Sequence, residues 1–275
     1  MKLVYLGTPE MAVPPLRALV EAGHEVVVVV TRVDKRRGRG SEVSPSPVKA
    51  AALELGLPVS HSVDDLLAAV SDGGAELGVV VAFGQIIKPH VLDVIPMVNL
   101  HFSLLPRWRG AAPVERALLA GDDVTGVCVM AVEEGLDTGG VYARREVPIG
   151  AETTAVELRA TLVDVGTTLL VDTLAQPLSI DGPEPQVGEV THAAKFTASD
   201  FEIDWSKPAD DIHRLVRVGG AWTTFRQKRL KINAARLVDG VLVATTVQPE
   251  GKAAMSFESW RIGARPAPDE LFGSL

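Results

Sequence analysis

Five consecutive valines at residues 26–30 are the feature that most narrows what this chain can fold into. A β-branched run without polar alternation is typical of a strand buried on both faces, as in a parallel sheet. A short apolar stretch at residues 3–6 precedes it, followed by helical spacing over residues 12–22. The chain therefore opens with a βαβ unit, which predicts an α/β fold with a right-handed crossover.

The turn after the first predicted strand bears on the choice of cofactor. It reads Gly7-Thr8-Pro9-Glu10 and lacks the spaced glycines of a dinucleotide-binding turn. A proline and a glutamate stand where a pyrophosphate would need bare backbone. The turn therefore argues against NAD and FAD.

Later segments complete the predicted architecture. Buried strands are expected at residues 78–83 and 97–101, an edge strand at 141–147 and a long helix at 154–174. Together they predict a Rossmann-like, mostly parallel sheet in an N-terminal domain over residues 1–176. A proline- and glycine-rich stretch at residues 177–203 is interpreted as a linker.

A smaller β-rich domain is expected over residues 204–275. After a helix at residues 209–218, short alternating runs predict strands at 222–226, 230–234, 241–247 and 255–260. We expect them to form a small β-barrel of the OB-like type.

Composition limits the function classes. The chain has 275 residues and a formal net charge of -8, so its surface as a whole does not attract polyanions. Arginines and lysines concentrate after residue 213, so any nucleic-acid contact is expected from a local basic patch. No apolar stretch approaches the ~20 residues of a membrane helix, and no secretion signal is evident. We expect a cytoplasmic monomer without a membrane partner.

Cysteine and histidine usage argues against a metal. Cys128 is the single cysteine, which excludes an internal disulfide and a cysteine-based metal cluster. Apart from His101, the histidines are scattered without the spacing of metal ligands. We therefore expect no metal site, and we interpret Cys128 as a small buried hydrophobic residue.

The strongest chemical pattern lies at the end of the strand predicted at residues 97–101. Side chains two apart on a strand point the same way, so Asn99, His101 and Ser103 should line one face. The carboxyl ends of strands are where open α/β sheets bind ligands. An amide and an imidazole there could hold a developing oxyanion and manage a proton. The pattern equally allows a structural asparagine and a hydrogen-bonded histidine at a strand end.

A basic stretch at residues 32–40 is long for a strand-to-helix connection. Lys35, Arg36, Arg37 and Arg39 could bind phosphates. The alternative is an ordinary solvated loop, because runs of charge are often simply exposed.

Residues 99–106, Asn-Leu-His-Phe-Ser-Leu-Leu-Pro, together with Asp137 in a Gly-Leu-Asp-Thr-Gly loop, resemble the formyltransferase family that uses 10-formyltetrahydrofolate. Residues 44–49, 107–113 and 203–206 are similar to the tRNA-directed branch of that family. The resemblance covers nearly the whole chain. It implies 10-formyltetrahydrofolate as formyl donor, initiator methionyl-tRNA as acceptor, and neither metal nor NAD.

The resemblance also implies three sets of site residues. The catalytic residues would be Asn99, His101 and Asp137. The folate-binding residues would be Ser103, Leu104, Leu105, Pro106, Phe83, Gly84, Gln85 and Ile86. The tRNA-binding residues would be Lys35, Arg36, Arg37, Arg39, Lys49, Arg226, Lys228 and Arg229.

In the implied reaction, Asn99 and His101 donate hydrogen bonds to the oxyanion, and Asp137 orients His101 and favours its protonated form. Either a water or His101 itself carries the proton from the amine to the folate nitrogen. Two alternatives remain open: a formyltransferase that acts on an amino sugar nucleotide or another small amine, and a non-catalytic folate- or nucleotide-binding sensor on the same fold.

Overall fold

The computed structural model describes residues 1–36, 43–176, 178, 182–267, 270 and 272–273. The chain forms two compact units. The first comprises Met1–Pro113, Val124–Pro148 and Arg159–Ala194, and the second comprises Val114–Asp123, Ile149–Leu158 and Lys195–Leu275. No helix in the described ranges is both long enough and apolar enough to span a membrane.

The first unit is built on a seven-stranded sheet. Eleven strands are described in the whole unit: β1 (Lys2–Gly7), β2 (Glu25–Val30), β3 (Lys35–Arg36), β4 (Val43–Ser44), β5 (Val59–Ser60), β6 (Leu77–Val81), β7 (Met97–His101), β8 (Arg109–Gly110), β9 (Val124–Ala131), β10 (Val141–Pro148) and β11 (His192–Ala193). The large sheet has the order β10-β9-β7-β6-β1-β2-β5. The pairings from β7 to β5 are parallel, whereas β9 and β10 are antiparallel additions. The predicted α/β class with a mostly parallel sheet is confirmed.

Eight α-helices are described. They are α1 (Val13–Glu21), α2 (Pro47–Glu54), α3 (Leu66–Ser71), α4 (Pro89–Leu92), α5 (Pro113–Ala120), α6 (Ala155–Leu174), α7 (Ala209–Val218) and α8 (Phe257–Ala264). Local sequence fixes where α2 begins. Pro47 occupies its first turn, and the Ser46 hydroxyl accepts the Lys49 backbone N–H at 3.0 Å, so the cap satisfies a donor that the helix cannot.

The valine run forms β2 as predicted, and Val29 and Val30 are fully buried. On the other side of β1, all of β6 is buried too, including Val79 and Val81. A strand buried on both faces can carry apolar residues at every position. These strands therefore form a rigid layer whose carboxyl ends position the loops that follow.

The C-terminal sheet of the second unit is a four-stranded antiparallel meander. Its strands are β12 (Trp222–Phe225), β13 (Lys228–Val238), β14 (Val241–Pro249) and β15 (Met255–Ser256), paired in chain order. The predicted β-rich character of this region is confirmed. Within the described residues no pairing of β15 with β12 closes the meander into a barrel.

The strand predicted over residues 255–260 is wrong beyond Ser256. The Ser256 hydroxyl accepts the Ser259 backbone N–H at 3.1 Å, which caps α8. Phe257, Trp260 and Ala264 then pack on the core of the second unit at helical spacing. Met255 and Phe257 fit the period of a strand, whereas Phe257 and Trp260 fit that of a helix, and the cap selects the helix.

An aromatic cluster forms much of the core of the second unit. Trp260 on α8 is nearly buried and meets Phe225 edge to face, with ring centroids 5.0 Å apart. Phe272 lies 5.8 Å from Phe225 and 5.6 Å from Trp205 between ring centroids. These rings bury large apolar areas, so Trp260 is a principal contact between α8 and the core of the second unit.

Trp260→Ala should lower the free energy of unfolding of the second unit by about 3–5 kcal/mol, because it opens a cavity in an aromatic core. Ile262→Ala is the matched control on the same helix, since Ile262 is 67% exposed; it should change stability by less than about 0.5 kcal/mol. Urea unfolding followed by circular dichroism measures both. Equal effects would show that the cluster does not hold α8.

Candidate active site

Strand β7 carries two of the predicted site residues. Asn99 and His101 lie two apart on it, so they share one face of the sheet, with Asn99 half-buried and His101 only 5% exposed. The parallel neighbour β6 ends at the same edge. The sequence expectation that Asn99 and His101 lie together at the carboxyl end of a central strand matches the structure, whereas Ser103, expected on the same face, lies beyond the end of β7.

Asp137 reaches these residues from the loop between β9 and β10. Its Oδ1 accepts from Asn99 Nδ2 at 3.5 Å, and its Oδ2 lies 3.7 Å from His101 Nδ1. The backbone N–H of Gly110 donates to Oδ2 at 2.7 Å. Asp137 adopts a left-handed backbone with φ of +52°, which aspartate tolerates better than most residues. An amide, an imidazole and a carboxylate that are distant in sequence therefore meet.

The hydrogen bond at the far side of the imidazole determines which nitrogen carries hydrogen. His101 Nε2 lies 3.0 Å from the backbone oxygen of Trp108. A carbonyl only accepts, so Nε2 is the donor. Nδ1 therefore faces Asp137, and a proton taken up by His101 would be held between the ring and that carboxylate.

Cys128 lies opposite His101 in the register between β7 and β9. It is fully buried, as predicted. Burial raises the pKa of the Cys128 thiol above its ordinary value, and a contact with the backbone of Leu105 only partly opposes this. The thiol is therefore neutral and inert, and it serves as packing behind the site.

The segment predicted to lie along folate follows β7. Ser103 is fully buried and its hydroxyl donates to the backbone oxygen of Arg107 at 2.6 Å. Leu105 packs in a cluster with Cys128, and Pro106 is also buried. Leu104 lies half-buried. These side chains therefore pack inside the fold beside the end of β7 and determine the shape of the site there.

The other predicted folate segment follows β6. Phe83 is buried in the core of the first unit, whereas Gly84, Gln85 and Ile86 are exposed. Ile86 is 86% exposed, which is unusual for so large an apolar side chain. An exposed apolar residue at the ligand-binding edge of a sheet is suited to contact a flat aromatic ligand.

The predicted tRNA-binding residues of the first unit fall in different settings. Lys35 is exposed on β3. The Lys49 ammonium donates to Asp34 Oδ2 at 2.7 Å, so it already has an anionic partner. Arg36 lies on β3, while Arg37 and Arg39 lie outside the described residues.

The predicted tRNA-binding residues of the second unit divide into two groups. Arg226 binds the Glu270 carboxylate at 2.6 and 2.8 Å, which holds the pKa of Glu270 below its ordinary value. Arg226 therefore fastens the C-terminal segment. Lys228 and Arg229 are exposed on β13, and the Arg229 guanidinium lies 4.0 Å over the Trp222 ring.

Exposed Lys231 is paired with Trp222 across β12 and β13, and it lies two residues from Arg229. Since side chains two apart share a face, the three form one aromatic and basic face of the sheet. We call Trp222, Arg229 and Lys231 the basic face of β13.

Sequence reasoning missed the residues that hold the Asp137 loop in place. The Gln186 amide donates to the backbone oxygens of Asp137 and Gly139, and its oxygen accepts from Arg109. Thr191 accepts the Trp108 backbone N–H at 2.8 Å. Both lie in the stretch interpreted as a linker. Its prolines and glycines indicated only irregular backbone, and no signal in the sequence marked these long-range contacts.

The family assignment agrees with this geometry. The formyl transferase profile matches residues 1–174, and the profile of the formyl transferase C-terminal domain matches residues 195–240. The chain therefore belongs to the formyl transferase family.

Relatives with known names indicate which kinds of formyl transferase the chain resembles. A methionyl-tRNA formyltransferase of Jannaschia sp. is 43% identical over 98% of this chain and 98% of its own length. A solved methionyl-tRNA formyltransferase from Clostridium thermocellum superposes with a TM-score of 0.61 at 17% identity, covering 90% of this chain and 98% of that one. HypX from Aquifex aeolicus, solved with tetrahydrofolic acid, gives a TM-score of 0.67 at 14% identity over all of this chain and 51% of that one.

Gly110→Ala tests the close approach that places the Gly110 N–H on Asp137. Gly110 has φ of +121°, and an added Cβ would lie 2.9 Å from the backbone oxygen of Ala193. Gly188→Ala is the matched control: φ is +124°, but its Cβ would meet only Pro106 at 3.8 Å.

Both variants carry similar backbone strain, so their difference isolates the clash. Gly110→Ala should lower the free energy of unfolding by about 2 kcal/mol more than Gly188→Ala does. Its melting temperature in thermal unfolding should therefore be roughly 5 °C lower than that of Gly188→Ala. Equal melting temperatures would show that the backbone around Gly110 accommodates the added Cβ without loss of stability.

Proposed function

We propose that this protein transfers a formyl group from 10-formyltetrahydrofolate to the α-amino group of methionyl initiator tRNA. The meeting of Asn99, His101 and Asp137 at the carboxyl end of β7 carries the proposal. It suits acyl transfer, which needs a donor for an oxyanion and a group that accepts a proton. Relatives named methionyl-tRNA formyltransferase support the choice of donor and acceptor.

Asn99 acts on the oxygen of the formyl group. The amine adds to the formyl carbon, and negative charge develops on the oxygen before the bond from carbon to the folate nitrogen breaks. The Asn99 amide is held at the strand end beside Asp137, and it donates to that oxygen. A preorganised donor of this kind is commonly worth about 3–4 kcal/mol.

His101 and Asp137 act together on the proton. As the nitrogen–carbon bond forms, the amine loses a proton, which His101 accepts at Nδ1 against the Asp137 carboxylate. The proton then passes to the folate nitrogen as the donor leaves. The hydrogen bond from Nε2 to Trp108 fixes the ring for this exchange.

The folate-binding surface lies where β6 and β7 end side by side. Exposed Gln85 and Ile86 supply an amide and an apolar contact. Ser103, Leu104, Leu105 and Pro106 form the wall that follows β7, and Phe83 and Gly84 set the course of the loop that follows β6. The tetrahydrofolic acid bound to the structurally similar HypX supports a folate as ligand.

The tRNA contacts combine two basic regions of a chain that is acidic as a whole. Lys35 to Arg39, with Lys49, form the basic stretch of the first unit. Lys228 and the basic face of β13 supply cations beside an indole, a combination suited to nucleic acid. We propose a cytoplasmic location, because aminoacylated tRNA and folate are available to an enzyme there.

His101→Ala should lower the turnover of formyl transfer to methionyl initiator tRNA by about a hundredfold or more, the scale of a lost acid–base group. His90→Ala is the control, because that ring is half exposed and its hydrogen-bond partner is Asp64, outside the candidate site. Radiolabelled formyl transfer measures both.

Two outcomes of that assay would contradict the proposal. Transfer to an amino sugar nucleotide, with none to the tRNA, would assign the chain to a small-amine formyltransferase. Turnover of His101→Ala equal to that of the wild-type protein would refute the proposed role of His101 in proton transfer.

Arg229→Ala should raise the KM for tRNA several-fold and leave the KM for folate unchanged. Loss of one phosphate contact should also reduce the slope of log affinity against log salt by about 1. Arg261→Ala is the matched control, since that exposed arginine pairs with Glu258 on α8. Filter binding at several salt concentrations measures the slope, and an equal slope in both variants would remove Arg229 from the interface.

A further inference from the structure

Gln186 uses every hydrogen-bonding valence of its amide. Nε2 donates to the backbone oxygen of Asp137 at 2.8 Å and to that of Gly139 at 2.7 Å. Oε1 accepts from Arg109 Nε at 3.0 Å and from Nη2 at 2.6 Å. An amide that is satisfied four times by groups from two other segments is rigidly held, because each bond restricts the others.

These bonds close a ring through the candidate site. Arg109 and Gly110 are adjacent on β8, and the Gly110 N–H donates to the Asp137 carboxylate at 2.7 Å. Asp137 is therefore held at both ends: its carboxylate is held by Gly110, and its backbone oxygen by Gln186 and, through it, Arg109. If either of these two contacts is lost, the Asp137 loop is fixed at one point only and can rotate about the contact that remains.

The loop needs such an external hold. Asp137 is in the left-handed region at φ of +52°, which costs roughly 1 kcal/mol for a residue other than glycine. The contacts of its carboxylate with Asn99 and His101 are long, at 3.5 and 3.7 Å. Such contacts are too weak to fix the carboxylate by themselves.

We propose that Gln186 is a positioning residue for formyl transfer, which sets the place of the Asp137 carboxylate against Asn99 and His101. The inference rests on the proposed function for its effect on turnover, but the geometric effect on Asp137 is independent of the reaction. Gln186 acts through Asp137 and needs no contact with either substrate. Its loss should therefore alter the chemical step and leave substrate binding unchanged.

Gln186→Met tests this, because methionine is similar in size and removes all four hydrogen bonds. We expect turnover to fall by about 10–100-fold, as a misplaced catalytic group commonly does, with the KM for tRNA and for folate within about twofold. Thr173→Val is the control: its hydroxyl donates to the backbone oxygen of Leu169 at 2.6 Å within α6. That control should keep turnover within about twofold.

A double-mutant cycle separates positioning from general structural damage. In an Asp137→Asn background the further change Gln186→Met should lower turnover by less than about twofold, since coupled residues are not additive. Full additivity, or a Gln186→Met enzyme with wild-type turnover, would overturn the proposal. If Gln186→Met fails to fold, Gln186→Asn serves instead, because its shorter side chain cannot span Arg109 and both backbone oxygens.

Amide exchange gives a reading that does not depend on activity. The Gly110 N–H should exchange at least about tenfold faster in Gln186→Met, since its acceptor is no longer held. It should be unchanged in Thr173→Val. If the wild-type protein transfers no formyl group but Gln186→Met still shows the faster exchange, only the proposed reaction is refuted. If the exchange of the Gly110 N–H is the same in Gln186→Met as in the wild type, only the role of Gln186 is refuted.

Discussion

The Asp137 carboxylate is the group on which the organisation of the site depends. It accepts a backbone N–H from Gly110 and lies within 3.7 Å of His101, while Asn99 donates to its other oxygen. A carboxylate that is only 13% exposed is costly unless such partners surround it. The surrounding backbone therefore has to hold the donors in place before any substrate arrives.

The topology explains why a loop has to bring this carboxylate to β7. The parallel neighbour β6 ends at the same edge as β7, so the residues that follow both strands meet there. The other neighbour, β9, runs antiparallel, and its last residue Ala131 pairs with Val98 near the start of β7. The chain must turn back through residues 132–140 before Asp137 can approach Asn99.

Where local sequence determines the geometry, the sequence was sufficient to predict it. The valine run could only suit a strand buried on both faces, and the alternation of Asn99 and His101 fixed their common face. The strand predicted through Trp260 failed because so short a window does not define a period, and the Ser256 cap marks the start of a helix. The family resemblance, rather than spacing, linked Asp137 to the pair.

Contacts between segments distant in sequence could not be predicted. Nothing near Gln186 indicates that its amide joins Arg109 to the Asp137 loop, since the distance between them along the chain is large. Arg226 presents the same problem in reverse. In the sequence Arg226 looks like one more cation of a basic region, yet in the structure its guanidinium binds the Glu270 carboxylate. Only the fold distinguishes a cation that fastens its own chain from one that meets solvent.

The path of residues 184–193 has a consequence for how chains of this family can vary. Glu184 pairs with Val141 through two backbone hydrogen bonds, and His192 and Ala193 pair with β8. Gln186 and Thr191 are fixed between those points. A residue inserted between Glu184 and Ala193 would displace the contacts that follow it from their partners. Differences in chain length should therefore be confined to the stretches before and after this segment.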